Sequence, residues 1–132
     1  MTEPIWVRTE TVRALHLEQL AEHGGGTGIR DVGLLESAMA RPQNLWAYGD
    51  PAPDLSALAA SYAAGIIKNH PFVDGNKRAG NIVCFLFLLL NGHDLDVARE
   101  VEYIMFYRLA AGDLSEQELA SWIRENIVER QV

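Results

Sequence analysis

Cysteine is nearly absent from this chain. Cys84 is the only one, so no intramolecular disulfide can form, and the cysteine and histidine spacing that builds a structural zinc site is missing. The fold must therefore rest on an apolar core. A chain of 132 residues, 48% of them hydrophobic, can supply one, because a chain of this size hides roughly two-thirds of its unfolded surface. Long apolar runs are lacking too. The longest spans nine residues, Ile82 to Leu90, far short of the ~20 that cross a bilayer, so it reads as buried helix and no membrane partner is expected. The opening MTEPIWVRTE has no basic segment followed by an apolar stretch, and the expected compartment is the cytoplasm. Positive charge is scarce as well. Eleven Lys and Arg stand against eighteen Asp and Glu, a net charge of -7, the wrong sign for a protein that wraps nucleic acid.

What is present is helical periodicity. Thr9 is a candidate N-cap for a first helix carrying Val12, Leu15 and Leu20, which Gly24 to Gly26 stop. Asp31 can cap a second helix carrying Leu34, Leu35, Ala38 and Met39, expected to end near Arg41 because Pro42 disfavours helical geometry before it. From Arg41 to Pro53 the pattern predicts an irregular segment, with Trp46 and Tyr48 as loop anchors. Asp54 caps a third helix, Leu55 to Asn69, that is apolar or small on nearly every side and hence central. A fourth apolar helix runs from about Asn76 to Leu90 and stops at Asn91-Gly92. After a short connection Asp96 can cap a fifth helix ending before Gly112. Ser115 to Glu118 is a capping box for a sixth, which carries Leu119, Trp122, Ile123 and Ile127. The expected fold class is all-α, a single compact domain over residues 1–132 with about six helices.

Chemistry concentrates between the two most apolar helices, in His70-Pro71-Phe72-Val73-Asp74-Gly75-Asn76-Lys77-Arg78. Both lysines of the chain, Lys68 and Lys77, lie in this neighbourhood, and with Arg78 they place three of the eleven positive charges within eleven residues. The first N–H groups of a helix are unpaired and its dipole is positive there, so an anion at Gly75 to Arg78 would meet aimed donors and cations together. Gly75 lets a phosphate approach the backbone closely. Asp74, beside that cradle, is the expected Mg2+ ligand, since magnesium usually takes one or two carboxylates plus phosphate oxygens. His70 is the expected general base. Pro71 and Phe72 should pin the loop to the core and hold that geometry.

This run resembles the signature of Fic/Doc proteins: a histidine, a phenylalanine two residues on, then an acidic residue, a small residue, asparagine and arginine at fixed spacing. The lysine at position 77 points to the Doc, or death-on-curing, branch. Gly24-Gly25, the run Gly28 to Glu36 and Arg41-Pro42-Gln43 are similar to the N-terminal half of that branch. The resemblance implies a Fic-like helical bundle and a toxin of a toxin–antitoxin pair. Such a toxin is a kinase that uses ATP and Mg2+ to phosphorylate a threonine of elongation factor Tu and so inhibits translation. It also implies the roles. His70 deprotonates the target hydroxyl, with Lys77 and Arg78 in the catalytic set, and Asp74 holds the metal. Phe72, Gly75, Asn76, Lys77 and Arg78 form the nucleotide-binding set, Gly75 through its backbone N–H. AMP-transferring members have glycine in place of Lys77 and a second arginine where this chain has Asn81, which favours phosphoryl transfer. AMP transfer onto a protein hydroxyl and a catalytically silent helical binding module are the alternatives. The implied partners are elongation factor Tu as target and a cognate antitoxin, expected to dock an amphipathic helix by its apolar face.

Other features read as structural. Gly24 to Gly28 is a flexible turn, since no strand precedes it. His16, His23 and His93 read as helix-surface or loop residues, and Cys84 as a buried small hydrophobe. Ser121 to Asn126 loosely fits the inhibitory-helix pattern of some Fic proteins, with Glu125 as its acid, yet the stretch is amphipathic as a structural last helix would be.

Overall fold

The computed structural model describes residues 2–26 and 28–130; Thr27, in the expected Gly24 to Gly28 turn, lies outside them. Six α-helices form the described chain: α1 (Thr9–His23), α2 (Val32–Tyr48), α3 (Leu55–Asn69), α4 (Asn76–Leu90), α5 (Arg99–Ala111) and α6 (Glu116–Asn126). Two short strands, β1 (His93–Leu95) and β2 (Ile127–Glu129), complete it.

The centre of the bundle is α3, which is buried along nearly its whole length and packs against α2, α4, α5 and α6. Its composition requires this position, because a helix without a polar face has no side to turn to water. Asp54 starts it by accepting the Ala57 N–H, and Asp31 starts α2 by accepting that of Leu34. At α6 the Ser115–Glu118 capping box is formed in both directions. Ahead of α1, Asn91 at the end of α4 exchanges two hydrogen bonds with the Ile5 backbone, and Trp6 stacks on Phe87. The Tyr62 hydroxyl accepts the Val7 N–H, and burial raises its pKa to about 12. Cys84 is fully buried, and desolvation pushes its thiol upward.

Four boundaries differ from the sequence expectation. The largest difference is α2, which runs through Pro42 to Tyr48 instead of ending near Arg41. A proline inside a helix costs about 3 kcal/mol, and here tertiary contacts offset it. Ala38, whose carbonyl loses its helical donor, is wholly buried against Gly65 of α3. Arg41 reaches the Ser61 carbonyl and pairs with Glu116 of α6 at 2.6 Å. Pro42 is itself buried. The irregular segment thus shrinks to the residues between Tyr48 and Leu55, with Trp46 half-buried and Tyr48 exposed.

The remaining three are local. Thr9 is the first residue of α1 and Arg8 takes the N-cap position, without a side-chain bond. Asp96 does not cap α5, whose N-cap is Ala98; the Asp96 N–H is held by the Asn126 carbonyl. Ile127 leaves the last helix for β2, which pairs antiparallel with β1 in the register His93 with Glu129, Asp94 with Val128 and Leu95 with Ile127. Strand pairing across sequence-distant segments leaves no local trace in three-residue runs.

Candidate active site

Two helix ends meet at the site, the C-terminus of α3 and the N-terminus of α4. His70 ends α3 in the left-handed region at φ 53, a costly conformation for a residue with a Cβ. Arg30 holds it there. The Arg30 guanidinium donates to the His70 carbonyl at 2.7 Å and to the Asn69 carbonyl at 2.9 Å. The backbone around Arg30 also pairs with the loop: Arg30 and Asp31 N–H groups donate to the Pro71 carbonyl, Val73 N–H donates to that of Gly28, and Ile29 bridges Phe72. The His70 side chain is exposed.

Asn76 closes the loop from below. It is 4% exposed, and its amide bridges both backbone groups of Phe72 at 2.9 Å each. Its side chain therefore braces the loop. Phe72, expected in the nucleotide-binding set, is 1% exposed and does not line the cavity; in this structure it anchors the loop to the core.

Above the loop opens a cavity of about 510 Å3, which His70, Asp74, Gly75, Asn76, Lys77 and Arg78 line. His23, Gly24 and Gly25 close its opposite side. Asp74 is exposed and, among the described residues, its carboxylate meets only backbone donors, Gly75 N–H at 2.8 Å and Gly26 N–H at 3.4 Å. Gly25 has φ 121, and a Cβ there would sit 2.8 Å from Asp74 Oδ2. Gly25 thus forms a wall close to the acid, in a backbone conformation that favours glycine. No three His, Cys, Asp or Glu side chains among the described residues form a metal cage. The donor set suits magnesium instead, which takes few protein ligands and completes its shell with phosphate oxygens and water.

The N-terminus of α4 is electrostatically peculiar. Gly75 is its N-cap, no side chain caps it, no acid lies in its first turn, and Lys77 and Arg78 lie there instead. Each other helix has either a capping side chain or an acidic residue in its first turn. Cations at a positive helix end are unfavourable by about 0.3–1 kcal/mol each, so this end is suited to an anion beyond the Asp74 carboxylate that meets the Gly75 N–H. Lys77 Nζ rests over the Tyr107 ring at 4.7 Å and Tyr103 at 5.8 Å.

His16 was expected on a surface and is buried. Its ring stacks on Phe72 at 3.8 Å and its Nε2 lies 2.7 Å from the Asp74 carbonyl. Its i, i+4 spacing from Val12 and Leu20 on the buried face of α1 was the available signal. For Arg30 the local sequence held none. His93 lies in β1, away from the cavity. Glu125 is exposed in a groove with Ser115, Gln117, Glu118, Ser121 and Trp122, while Arg124 pairs with Asp54 at 2.6 Å, so α6 presents no acid to the cavity.

The fold is a mostly helical bundle with a polar, cation-bearing loop between two central helices, and the sequence comparisons supply the family. The model of the Fic/DOC family matches residues 6–88, and the chain belongs to this family. It is 41% identical over 80 residues to the protein named Toxin Doc of Mycolicibacterium smegmatis (strain ATCC 700084 / mc(2)155). That match covers 60% of this chain and 61% of the relative's length. The family match includes α1 to the end of α4 nearly whole, and with them every residue of the loop.

Proposed function

We propose that the chain is a Doc-like toxin of a toxin–antitoxin pair, a protein kinase that transfers the γ-phosphoryl group of ATP to a threonine hydroxyl of elongation factor Tu. The observation that carries this reading is the uncapped, doubly cationic start of α4 beside one carboxylate and one exposed imidazole. Phosphoryl transfer asks a protein mainly to position reactants and neutralise charge, and this set does both. Lys77, Arg78 and the first N–H groups of α4 bind the phosphate oxygens. His70 takes the proton of the attacking hydroxyl. The hydroxyl oxygen bonds to the γ-phosphorus as the bond to the β–γ bridging oxygen breaks, and ADP leaves. Asp74 would hold magnesium, which would supply further charge neutralisation at the phosphates.

AMP transfer is the alternative reaction for the same fold. Lys77 and Asn81 favour phosphoryl transfer, because no second arginine stands at position 81. The Asn81 oxygen is buried and meets no donor among the described residues.

The cognate antitoxin, in this reading, lays an amphipathic helix into the apolar groove between α1, α4 and α5. The groove encloses about 800 Å3, with Leu15, Ile82, Phe85, Leu86 and Leu89 along it, and it shares His23 and Arg78 with the cradle. A segment seated there abuts the phosphate site. No helix among the described residues is long and apolar enough to cross a membrane, and we place the activity in the cytoplasm, where the target resides.

The test is to incubate the chain with elongation factor Tu, ATP and Mg2+ and weigh the factor. A gain of about 80 Da, lost with His70→Ala, is the expected result. A gain of about 329 Da would move the assignment to AMP transfer, and no gain would overturn elongation factor Tu as the target.

A further inference from the structure

One buried polar group has no part in the chemistry described above. His16 belongs to α1, is 4% exposed, and reaches across to the loop from a helix far away in sequence. A carbonyl oxygen only accepts, so Nε2 carries the proton in the 2.7 Å contact with the Asp74 carbonyl. The ring's stack on Phe72, at an interplanar angle of 12°, fixes the direction in which that N–H points.

The bond acts on more than Asp74. In a trans peptide the C=O and the following N–H point in nearly opposite directions, and among the described residues the one cis bond is Asp50–Pro51. Holding the Asp74 carbonyl inward on His16 therefore turns the Gly75 N–H outward, to the cavity side. There it meets Asp74 Oδ1, an anionic oxygen, at 2.8 Å.

Nothing in Gly75 itself enforces that orientation. Its angles, φ 78 and ψ 20, are those of the residue after the central peptide of a type II turn. Rotating that peptide by half a turn gives type I angles, and glycine accepts both. In the rotated form a carbonyl oxygen, not an N–H, faces the cradle. The Asp74 side chain holds the plane only while its carboxylate stays on the Gly75 N–H, and a carboxylate turned to a metal no longer does.

We propose that His16 is a positioning residue that latches the Asp74–Gly75 peptide with its N–H toward the anion cradle. The proposal rests on the reading of the α4 N-terminus as a phosphate site. It assigns to α1 the task of keeping an anion donor in place when Asp74 is engaged elsewhere.

Two substitutions separate the donor from the ring. His16→Phe keeps the stack on Phe72 and removes the N–H, whereas His16→Gln places an amide N–H at a similar reach without the ring. The readouts are the peptide orientation in crystals of the ligand-free variants, the affinity for Mg2+·ATP by calorimetry, and the Gly75 amide resonance during the same titration. The Phe variant is expected to show a rotated Asp74–Gly75 peptide, at least about tenfold weaker Mg2+·ATP binding and a silent Gly75 amide. The Gln variant is expected to keep the wild-type orientation and to bind within about threefold of wild type. An unrotated peptide in the Phe variant overturns the proposal, as does wild-type affinity despite rotation. Equal impairment of both variants also overturns it and assigns the effect to ring packing. Should the wild-type chain not bind Mg2+·ATP, the phosphate reading fails, and the peptide orientation in the Phe variant still decides whether His16 is the latch.

Discussion

The N-termini of α3 and α4, the two helices that pack most extensively on each other, are built in opposite ways. At α3, Asp54 accepts the Ala57 N–H at 2.8 Å and also takes a two-point contact from Arg124 of α6, at 2.6 and 3.0 Å. Charge, dipole and hydrogen bonding all agree there. At α4 a glycine stands in the cap position, the first turn carries no acid, and Lys77 and Arg78 add positive charge to a positive end. One helix end is completed by a capping carboxylate and its arginine partner, and the other lacks a side-chain cap and carries two cations in its first turn. In the proposed reading, their difference marks where stability yields to function.

Removing His70 tests the functional end most severely. His70→Ala should lower phosphoryl transfer about 10²–10⁴-fold, the usual contribution of a positioned base, and leave the melting temperature unchanged because the side chain is exposed. A quenched-flow assay beside a thermal melt checks both halves. An equal loss of stability would make His70 a structural cap.

Arg78→Ala should separate binding from folding. Nucleotide affinity is expected to fall about tenfold or more, while stability in a urea titration rises by about 0.3–1 kcal/mol as a like-sign charge leaves the helix end. A destabilised Arg78→Ala would show that α4 is satisfied internally after all, and the comparison would break.

At the structural end Asp54→Ala should cost about 1–2 kcal/mol through loss of the cap, with catalysis untouched. Asp54→Asn keeps the cap and loses the charge. Since both partners of the pair are about half exposed, its cost should stay below about 1 kcal/mol.

The smallest effect is in pH. The Arg124 guanidinium beside Asp54 holds its carboxyl below its ordinary value. A depressed folded-state value means a contribution present above the unfolded value and lost as pH falls through the folded one. The stability difference between wild type and Asp54→Asn should therefore be constant near neutral pH and shrink below about pH 4. A difference that grows on acidification would reverse the assignment.

Most helices of this protein are legible along the chain, because their signals are local. Asp31, Asp54 and Ser115 announce caps three residues ahead, and the all-apolar periodicity of Leu55 to Asn69 leaves a central helix as its only place. The loop from His70 to Arg78 is equally legible, since anion donors, cations, a carboxylate and an imidazole fall within nine residues. Pro42 misled because its local cost is real and its compensation comes from α3 and α6. Asn76 and Phe72 were visible as members of the run, but their burial, which makes them braces, depends on what lies beneath.

Sequence by itself therefore determined the helical class, the central pair of helices and the chemical content of their junction, all consequences of spacing within a few turns. Only the tertiary structure decided that α2 continues past its proline, that β1 and β2 pair, and that Arg30 and His16 hold the two ends of the site loop. These contacts join residues 32 to 58 positions apart, or span sequence-distant helices. Their energies depend on packing in three dimensions, for which a single strand of residues carries no local periodicity or cap.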